Sequence, residues 1–444
     1  MKTRTTHLDI VIILVLSNFF LPTSMSQKKI RRKDYSGYQV HRVNVNSSDH
    51  QTLLQTLFQL LEADVWKEPT QFLSHFDVMI PGKSLTMFKD ALRDLKLSHS
   101  LRIRDVQVLI DDEHVTHGKR HPRRTRRFRF NQYNDYSTII RFMKYFRRAN
   151  SDIVSVVQVG ITYEGRKIFA LKISEKSDRV KPVIWQDALI HAREWVTGST
   201  MLWVANRMVQ GYRKGETDSV QLIRNFDWLL VPVWNVDGYL YTWKEDRLWR
   251  KSRSESGSMG CRGVDLNRNF LTPNRGGGTS SNYICSGVYQ GTTAFSEPET
   301  ETVSQYLKTL NLAAFISVHS FSQLWMFPFG YTKTHSPDYS DLDFISDHAV
   351  RAIYDLHGVT YQQGPVVDKI YKVSGGSVDW AHEKLCVKYA FAVELRDRGE
   401  YGFLLPKEDL IPTAEEYFAA LKTVGRHLMT TNSTRSSLCN DAIG

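Results

Sequence analysis

An α/β fold is predicted: a mixed, mostly parallel central sheet flanked by helices on both faces, preceded by a small α+β sandwich. Three observations predict it. From Phe128 onward short apolar runs alternate with helical segments, the order expected of strands in a helix-covered sheet. Residues 35–115 repeat strand-like and helical periodicities on a smaller scale. The 444-residue chain is too long for one average domain and comfortable for two, and 41% hydrophobic against 24% charged residues is an ordinary globular balance.

The elements follow in chain order. Lys2 and Arg4 precede an apolar run from Ile10 to Leu21, and Ser24-Met25-Ser26 supplies small residues at a cleavage position. That order predicts a secretory signal peptide over residues 1–26 and an extracellular destination. The run is well short of the roughly 20 residues that span a bilayer, and no later stretch spans one, so no membrane attachment is expected after signal removal.

The small domain comes next. Tyr38–Val43 alternates like a strand, Leu53–Leu61 has helical spacing, and Phe76–Ile80 is a strand closed by Pro81-Gly82. Leu85–Leu95 is a second amphipathic helix and Arg104–Ile110 a last strand. The order suggests a βαββαβ, ferredoxin-like open sandwich with one strand only faintly marked. Two basic joints flank it. His117–Arg127 carries like charges that repel and keep it extended and exposed to proteases, and Arg124-Thr125-Arg126-Arg127 matches the dibasic pattern cut by furin-like enzymes.

The net charge of +11 invites a nucleic-acid reading. Residues 1–127 hold 21 Lys+Arg against 13 Asp+Glu, a balance of +8, and residues 128–444 hold 37 against 34, a balance of +3. The excess therefore lies in the front segment, in Lys28–Lys33 and Lys119–Arg127. A solvated tether is indicated rather than a phosphate-binding face, and no nucleic acid is expected.

Beyond Phe128, Val183-Ile184-Trp185, Trp228–Val233, Ala314–Val318 and Tyr389–Val393 read as buried strands separated by helices. Of the four cysteines, Cys261 and Cys285 are close across a Gly/Ser/Asn-rich loop and are expected to pair in an oxidising environment. Cys386, in an apolar run, reads as a buried free thiol, and Cys439 stands in a polar tail with no evident role.

The chemistry starts at His191-Ala192-Arg193-Glu194-Trp195, directly after a strand. A His and a Glu three apart in the first turn of a helix project from one face and can share a metal. Zinc takes imidazole nitrogen and carboxylate oxygen, and a catalytic site keeps one position for water. His319, ending the strand Phe315–Val318, is the candidate third ligand, since ligands collect at strand ends in open sheets. Asp265 can accept a proton from a ligand imidazole and fix its tautomer. Glu394 closes another apolar strand, where a carboxylate is costly unless paired or working. It reads either as a salt-bridge partner of Arg396 or another Arg, or as a general base toward zinc-bound water.

Together these residues resemble the catalytic domain of pancreatic-type metallocarboxypeptidases, peptidase family M14. The likeness covers nearly all of Phe128 to about Leu428. It rests on HAREW at His191, NVDGY at Asn235, RLWRKSR at Arg247, GVDLNRNF at Gly263, AFSEPET at Ala294, HSFSQLW at His319, IYKVSGGSVDW at Ile370 and ELRDRGEYGFLLP at Glu394. The front domain is similar to that family's activation peptide. The resemblance implies a secreted zymogen of a zinc exopeptidase. Its segments are a signal peptide at 1–26, an activation prodomain at 27–116, a cleavable linker at 117–127 cut after Arg127, a catalytic domain at 128–430 and a polar tail at 431–444. The alternative is a secreted module that keeps this fold for binding without catalysis.

Position by position, the resemblance makes His191, Glu194 and His319 the ligands of one Zn2+, Glu394 the base and Arg250 the stabiliser of the oxyanion. Arg268 clamps the substrate's free carboxylate, its planar fork binding both oxygens. Asn267 and Tyr371 assist, and Arg193, Phe321 and Phe403 contact substrate. Val378 forms the base of the side-chain pocket, walled by Met326, Gly330, Val366, Ile370, Val373, Gly376 and Ala392. With no acid among them, a preference for aromatic or aliphatic C-terminal residues is expected. The implied partners are peptide and protein C-termini and a trypsin- or furin-like activating protease, and a monomer is expected. Three positions depart from the family pattern: Phe321 for a usual Tyr, Ala188-Leu189 for a common Gly-Gly, and Leu271-Thr272-Pro273-Asn274 without the usual Asp and Trp.

Overall fold

The computed structural model describes residues 32–70, 75–115 and 128–439, apart from 256, 258, 259 and 432. The predicted signal peptide and the linker with Arg127 lie outside the described residues. From Lys33 onward the described residues form one unit built on two sheets.

The smaller sheet holds β1 (Gln39–Asn44), β2 (Asp64–Lys67), β3 (His75–Ile80) and β4 (His99–Ile103), antiparallel in the order β2-β3-β1-β4. Strand alternation sorts its side chains. Val43, Phe76, Val78 and Ile80 point to one face, where helices Ser48–Leu60 and Leu85–Asp94 bury Leu54, Phe58, Phe88 and Leu92 against them. Ser47 caps the first of these helices, its hydroxyl accepting the His50 N–H. The opposite face carries Val40, Met79 and Trp66, and it packs on Leu248, Phe321, Phe403 and Leu404 of the larger unit.

One expectation fails here. Arg104–Ile110 is not a strand: β4 is His99–Ile103, and Val106–Val115 is a helix. Asp105 accepts the Gln107 backbone N–H at 2.9 Å, which starts the turn. Val106 and Ile110, four apart, then bury one stripe, a spacing that an alternating reading also accommodates over so short a run.

His41, on β1, is 1% exposed, among the rings of Phe88 and His99. Burial, helped by the charges of His99 and Lys89, lowers it from 6.5 to about 4. In the unfolded chain it titrates near the ordinary value. The folded prosegment is therefore unpenalised above pH 6.5 and loses stability as pH falls toward 4. Urea unfolding of the precursor from pH 7 to pH 4 should show this loss, reduced in His41→Leu.

The larger sheet runs β11-β10-β12-β9-β7-β8-β6-β5. Its strands are β5 (Val154–Ile161), β6 (Lys167–Ile173), β7 (Val183–Ala188), β8 (Asp227–Val231), β9 (Leu312–His319), β10 (Leu324–Phe327), β11 (Gln362–Pro365) and β12 (Tyr389–Glu394). The central four, β12-β9-β7-β8, are parallel, β6 and β5 add antiparallel at one edge, and β10 pairs antiparallel with β12. Every residue of β7 and β9 is buried, as expected of strands covered on both faces. Helices including Trp195–Arg213, Tyr339–His357 and Leu410–Thr430 supply the cover.

Cys261 and Cys285 are joined by a disulfide. Cys386 is not a free thiol: it is bonded to Cys439. The tail returns to it through the Ser436 N–H donating to the Cys386 carbonyl at 2.8 Å and through Ser437 donating to Asp338. A partner 53 residues away leaves no local mark in the sequence.

Candidate active site

Parallel strands all end on one side, and the polar residues that interrupt their apolar runs are gathered there. β9 ends in His319 and β12 in Glu394, which stand at the same register. β7 ends at Ala188, and His191 to Glu194 form the turn that follows it. Glu194 is the N-cap of helix Trp195–Arg213, so the His-x-x-Glu pair precedes the helix rather than occupying its first turn. Leu189, one of the departures from the family pattern, adopts φ +55°, a conformation easiest for glycine. Its side chain is fully buried, and Gly198 on the next helix makes room, since a Cβ there would lie 2.6 Å from Leu189 Cδ1.

The turn brings three ligand-type groups together. His191 Nδ1 lies 2.8 Å from Glu194 Oε1 and 3.2 Å from His319 Nδ1, which is 3.3 Å from Glu194 Oε2. All three residues are buried, and their ligand atoms fall within 4.8 Å of one another. Glu194 Oε2 is buried without a hydrogen-bond partner. Two imidazole nitrogens and a carboxylate oxygen converging on one point suit zinc, so the residues fit the ion. Burial alone would raise the Glu194 carboxyl; the neighbouring His191 and His319 hold it below the usual carboxylate range instead.

Around this point stand the other candidates. Asp265 Oδ1 lies 3.1 Å from His191 Nε2, and its other oxygen accepts Arg250 Nε and Nη2 at 3.1 and 2.9 Å. One carboxylate thus orients both an imidazole and a guanidinium. Arg268 is 3% exposed, donates to the Asn267 carbonyl at 3.0 Å, and keeps Nε without a partner. Gly375, at φ +76°, lets the chain pass Arg268, where a Cβ would sit 2.1 Å from the Arg268 carbonyl oxygen. The Gly375 N–H is accepted by Thr272, in the altered loop, at 2.7 Å, so that loop still holds the segment after Tyr371.

Glu394 Oε2 is buried without a partner. Arg396 points elsewhere, to Glu416 and to Asp409, so the salt-bridge reading fails. Burial first, then the nearby Glu194, pushes the Glu394 carboxyl up to about 8, with His319 opposing. A bound divalent cation would pull it back down.

One cleft contains His191, Glu194, Arg250, Asn267, Arg268, His319, Phe321, Tyr371, Val378, Glu394 and Phe403. The predicted pocket residues Met326, Gly330, Val366, Ile370, Val373, Gly376 and Ala392 line it too. Asp379, which the sequence reading did not count, also lines it. Burial raises Asp379 to about 7, and both its oxygens receive the Gly330 N–H at 3.0 Å, so its carboxyl is engaged as a backbone acceptor.

The prosegment reaches into this cleft through residues that the sequence did not single out. Trp66 of β2 lines it and packs edge-on to Phe403 and Phe321, at 5.1 and 6.4 Å between ring centroids. Asp64 accepts Arg193 Nη1 at 2.7 Å, while Arg193 lies 4.0 Å over the Phe403 ring. Glu113 binds Arg247 with both oxygens, at 2.6 and 2.7 Å. A lone Trp between charged residues was the available signal.

The zinc carboxypeptidase family model matches residues 139–420, and the carboxypeptidase activation peptide model matches residues 41–113. Carboxypeptidase A2 of Rattus norvegicus is 41% identical over 85% of this chain and 91% of its own length. Carboxypeptidase A4 of Mus musculus is 39% identical over 89% and 95%. Among solved structures, thrombin activatable fibrinolysis inhibitor superposes with a TM-score of 0.81 at 32% identity, over 88% of this chain and 99% of that one. Carboxypeptidase A from Helicoverpa armigera gives 0.79 at 27% identity, over 90% and 100%.

Proposed function

The chain belongs to the zinc carboxypeptidase family and carries that family's activation peptide, and from this premise we propose how its residues divide the work. It is the zymogen of an A-type carboxypeptidase, a hydrolase of the exopeptidase class.

His191, Glu194 and His319 hold the zinc. When bound, the ion acts as a Lewis acid and makes water a stronger acid near neutral pH. Glu394 receives the proton of the attacking water and returns it to the leaving amine; its buried, unpartnered oxygen supports this role. Arg250, fixed by Asp265, stabilises the oxyanion with a donor that need not reorganise. Arg268 grips the terminal carboxylate, with Asn267 and Tyr371 beside it, and Arg193, Phe321 and Phe403 meet residues upstream of the scissile bond. Asn267 is itself held by the Ser377 N–H, donated to its Oδ1 at 2.9 Å.

Val378 and its apolar neighbours receive aromatic or aliphatic side chains. A Lys or Arg side chain there strands its charge, at about 3 kcal/mol or more, roughly 10²-fold in rate. The prosegment covers the cleft until a trypsin- or furin-like protease cuts within 117–127, after Arg127, in the extracellular space. The catalytic domain spans 128–430 and works as a monomer on peptide and protein C-termini. The observation that carries the reading is the shared cleft of the ligand set, Glu394 and Arg268.

The test treats the full chain with trypsin and supplies peptides ending in Phe, Leu, Lys or Arg, with and without a chelator. Fast release of Phe and Leu, abolished by the chelator, is expected. Faster turnover of Lys or Arg would refute the pocket assignment, and chelator-resistant turnover would refute the metal.

A further inference from the structure

A feature of the central sheet that no sequence motif marked reaches the back of the metal site. β7 and β9 are parallel neighbours, and their register sets Asp187 directly beside Ser317. His319 lies two residues further along β9, on the same face as Ser317. The Ser317 hydroxyl donates to Asp187 Oδ1 at 2.7 Å and stands 3.1 Å from His319 Nε2. Asp187 and Ser317 are fully buried and His319 is 3% exposed. The other Asp187 oxygen accepts the Trp185 indole N–H at 2.9 Å.

We infer that Asp187 and Ser317 form a buried relay that positions His319 for zinc, doing through a hydroxyl what Asp265 does directly for His191. The proton directions follow from chemistry. An ionised carboxylate only accepts, so the Ser317 proton points to Asp187 and the oxygen's lone pairs are left to accept. His319 Nδ1 faces His191 Nδ1 and Glu194, so a metal-bound His319 carries its proton on Nε2 and must donate it. The neighbouring Asn267 Nδ2, 3.4 Å away, is an amide donor and cannot accept it. Ser317 is thus the acceptor that holds the tautomer with its Nδ1 lone pair toward the metal. Both ligand imidazoles then end on buried carboxylates. The one served by β9 is set by sheet register, so the ligand is aimed by the pairing of two central strands.

The inference rests on the proposed zinc site, and the experiment separates the two. The full chain is stripped of metal and titrated with zinc against a chelator of known affinity. Binding by the unaltered chain tests the site itself. Ser317→Ala should bind zinc 10- to 100-fold more weakly, the usual cost of losing such a partner. Asp187→Asn should weaken it less, because the hydroxyl still finds an oxygen acceptor. The double variant should be no weaker than Ser317→Ala alone, since the two act in series. In the zinc-loaded chain, the exchange-protected His319 Nε2–H resonance should be present and should be lost in Ser317→Ala. If Ser317→Ala does not fold, the Asp187→Asn affinity and resonance decide. Affinities within twofold of the unaltered chain, or losses that multiply in the double variant, would overturn the relay.

Discussion

Glu394→Gln leaves zinc bound and the fold intact but lowers turnover of a peptide ending in Phe by about 10³-fold, within the 10²–10⁴ range of general acid–base catalysis. The substitution is nearly isosteric, and Glu394 is outside the set that converges on the metal point. What the amide cannot do is take a proton. A merely structural carboxylate at this strand end would be paired. Glu394 Oε2 is not, although Arg396 stands two residues away and satisfies Glu416 and Asp409 instead. A buried acid without a partner costs stability that no packing role needs. The measurement is kcat on the trypsin-treated variant, with its zinc content and thermal midpoint determined in parallel. Activity within tenfold of the unaltered enzyme would remove Glu394 from the mechanism.

Much of this site was legible because parallel strands write a plain signal. Val183–Trp185, Tyr389–Val393 and, but for Ser317, Ala314–Val318 are apolar on both faces, so the polar residue ending a run stands out, as His319 and Glu394 do. Spacing was less exact about local form. His191 and Glu194 do meet, but in the turn that leads into the helix rather than on a helix face. What stayed hidden depends on pairings distant in sequence. Asp187 and Ser317 are 130 residues apart and become neighbours only through strand register. Cys386 finds Cys439 because a tail of polar residues folds back on Asp338. Arg104–Ile110 was misjudged because a two-faced environment blurs the difference between periods of 2 and 3.6 in a short apolar run. The substitutions at Leu189 and in the loop at Thr272 looked disruptive in isolation. Gly198 makes room for Leu189, and Thr272 accepts the Gly375 N–H, neither contact being adjacent in sequence.

Glu113→Ala, in the uncut chain, raises hydrolysis of a small peptide substrate about 100-fold over the unaltered precursor. Arg247 is 4% exposed, stacked 3.7 Å from the Trp195 ring, and its only carboxylate partner among the described residues is Glu113 of the prosegment. When the prosegment lifts off the unaltered chain, both charges regain water. In the variant, the closed form keeps a buried guanidinium without its anion, and removing one member of a buried pair costs about 3–5 kcal/mol. The lower end applies, because Arg247 still donates to the carbonyls of Arg193 and Phe403, each at 2.9 Å. About 3 kcal/mol shifts the closed-to-open ratio by roughly 10². Because those same two residues, Arg193 and Phe403, also meet Asp64 and Trp66, the latch at Glu113 is mechanically continuous with the cover over the cleft. Trp66→Ala, which withdraws the side chain lining the cleft itself, should therefore raise basal activity in the same direction, and a precursor still silent in both variants would show that the cover is held from elsewhere.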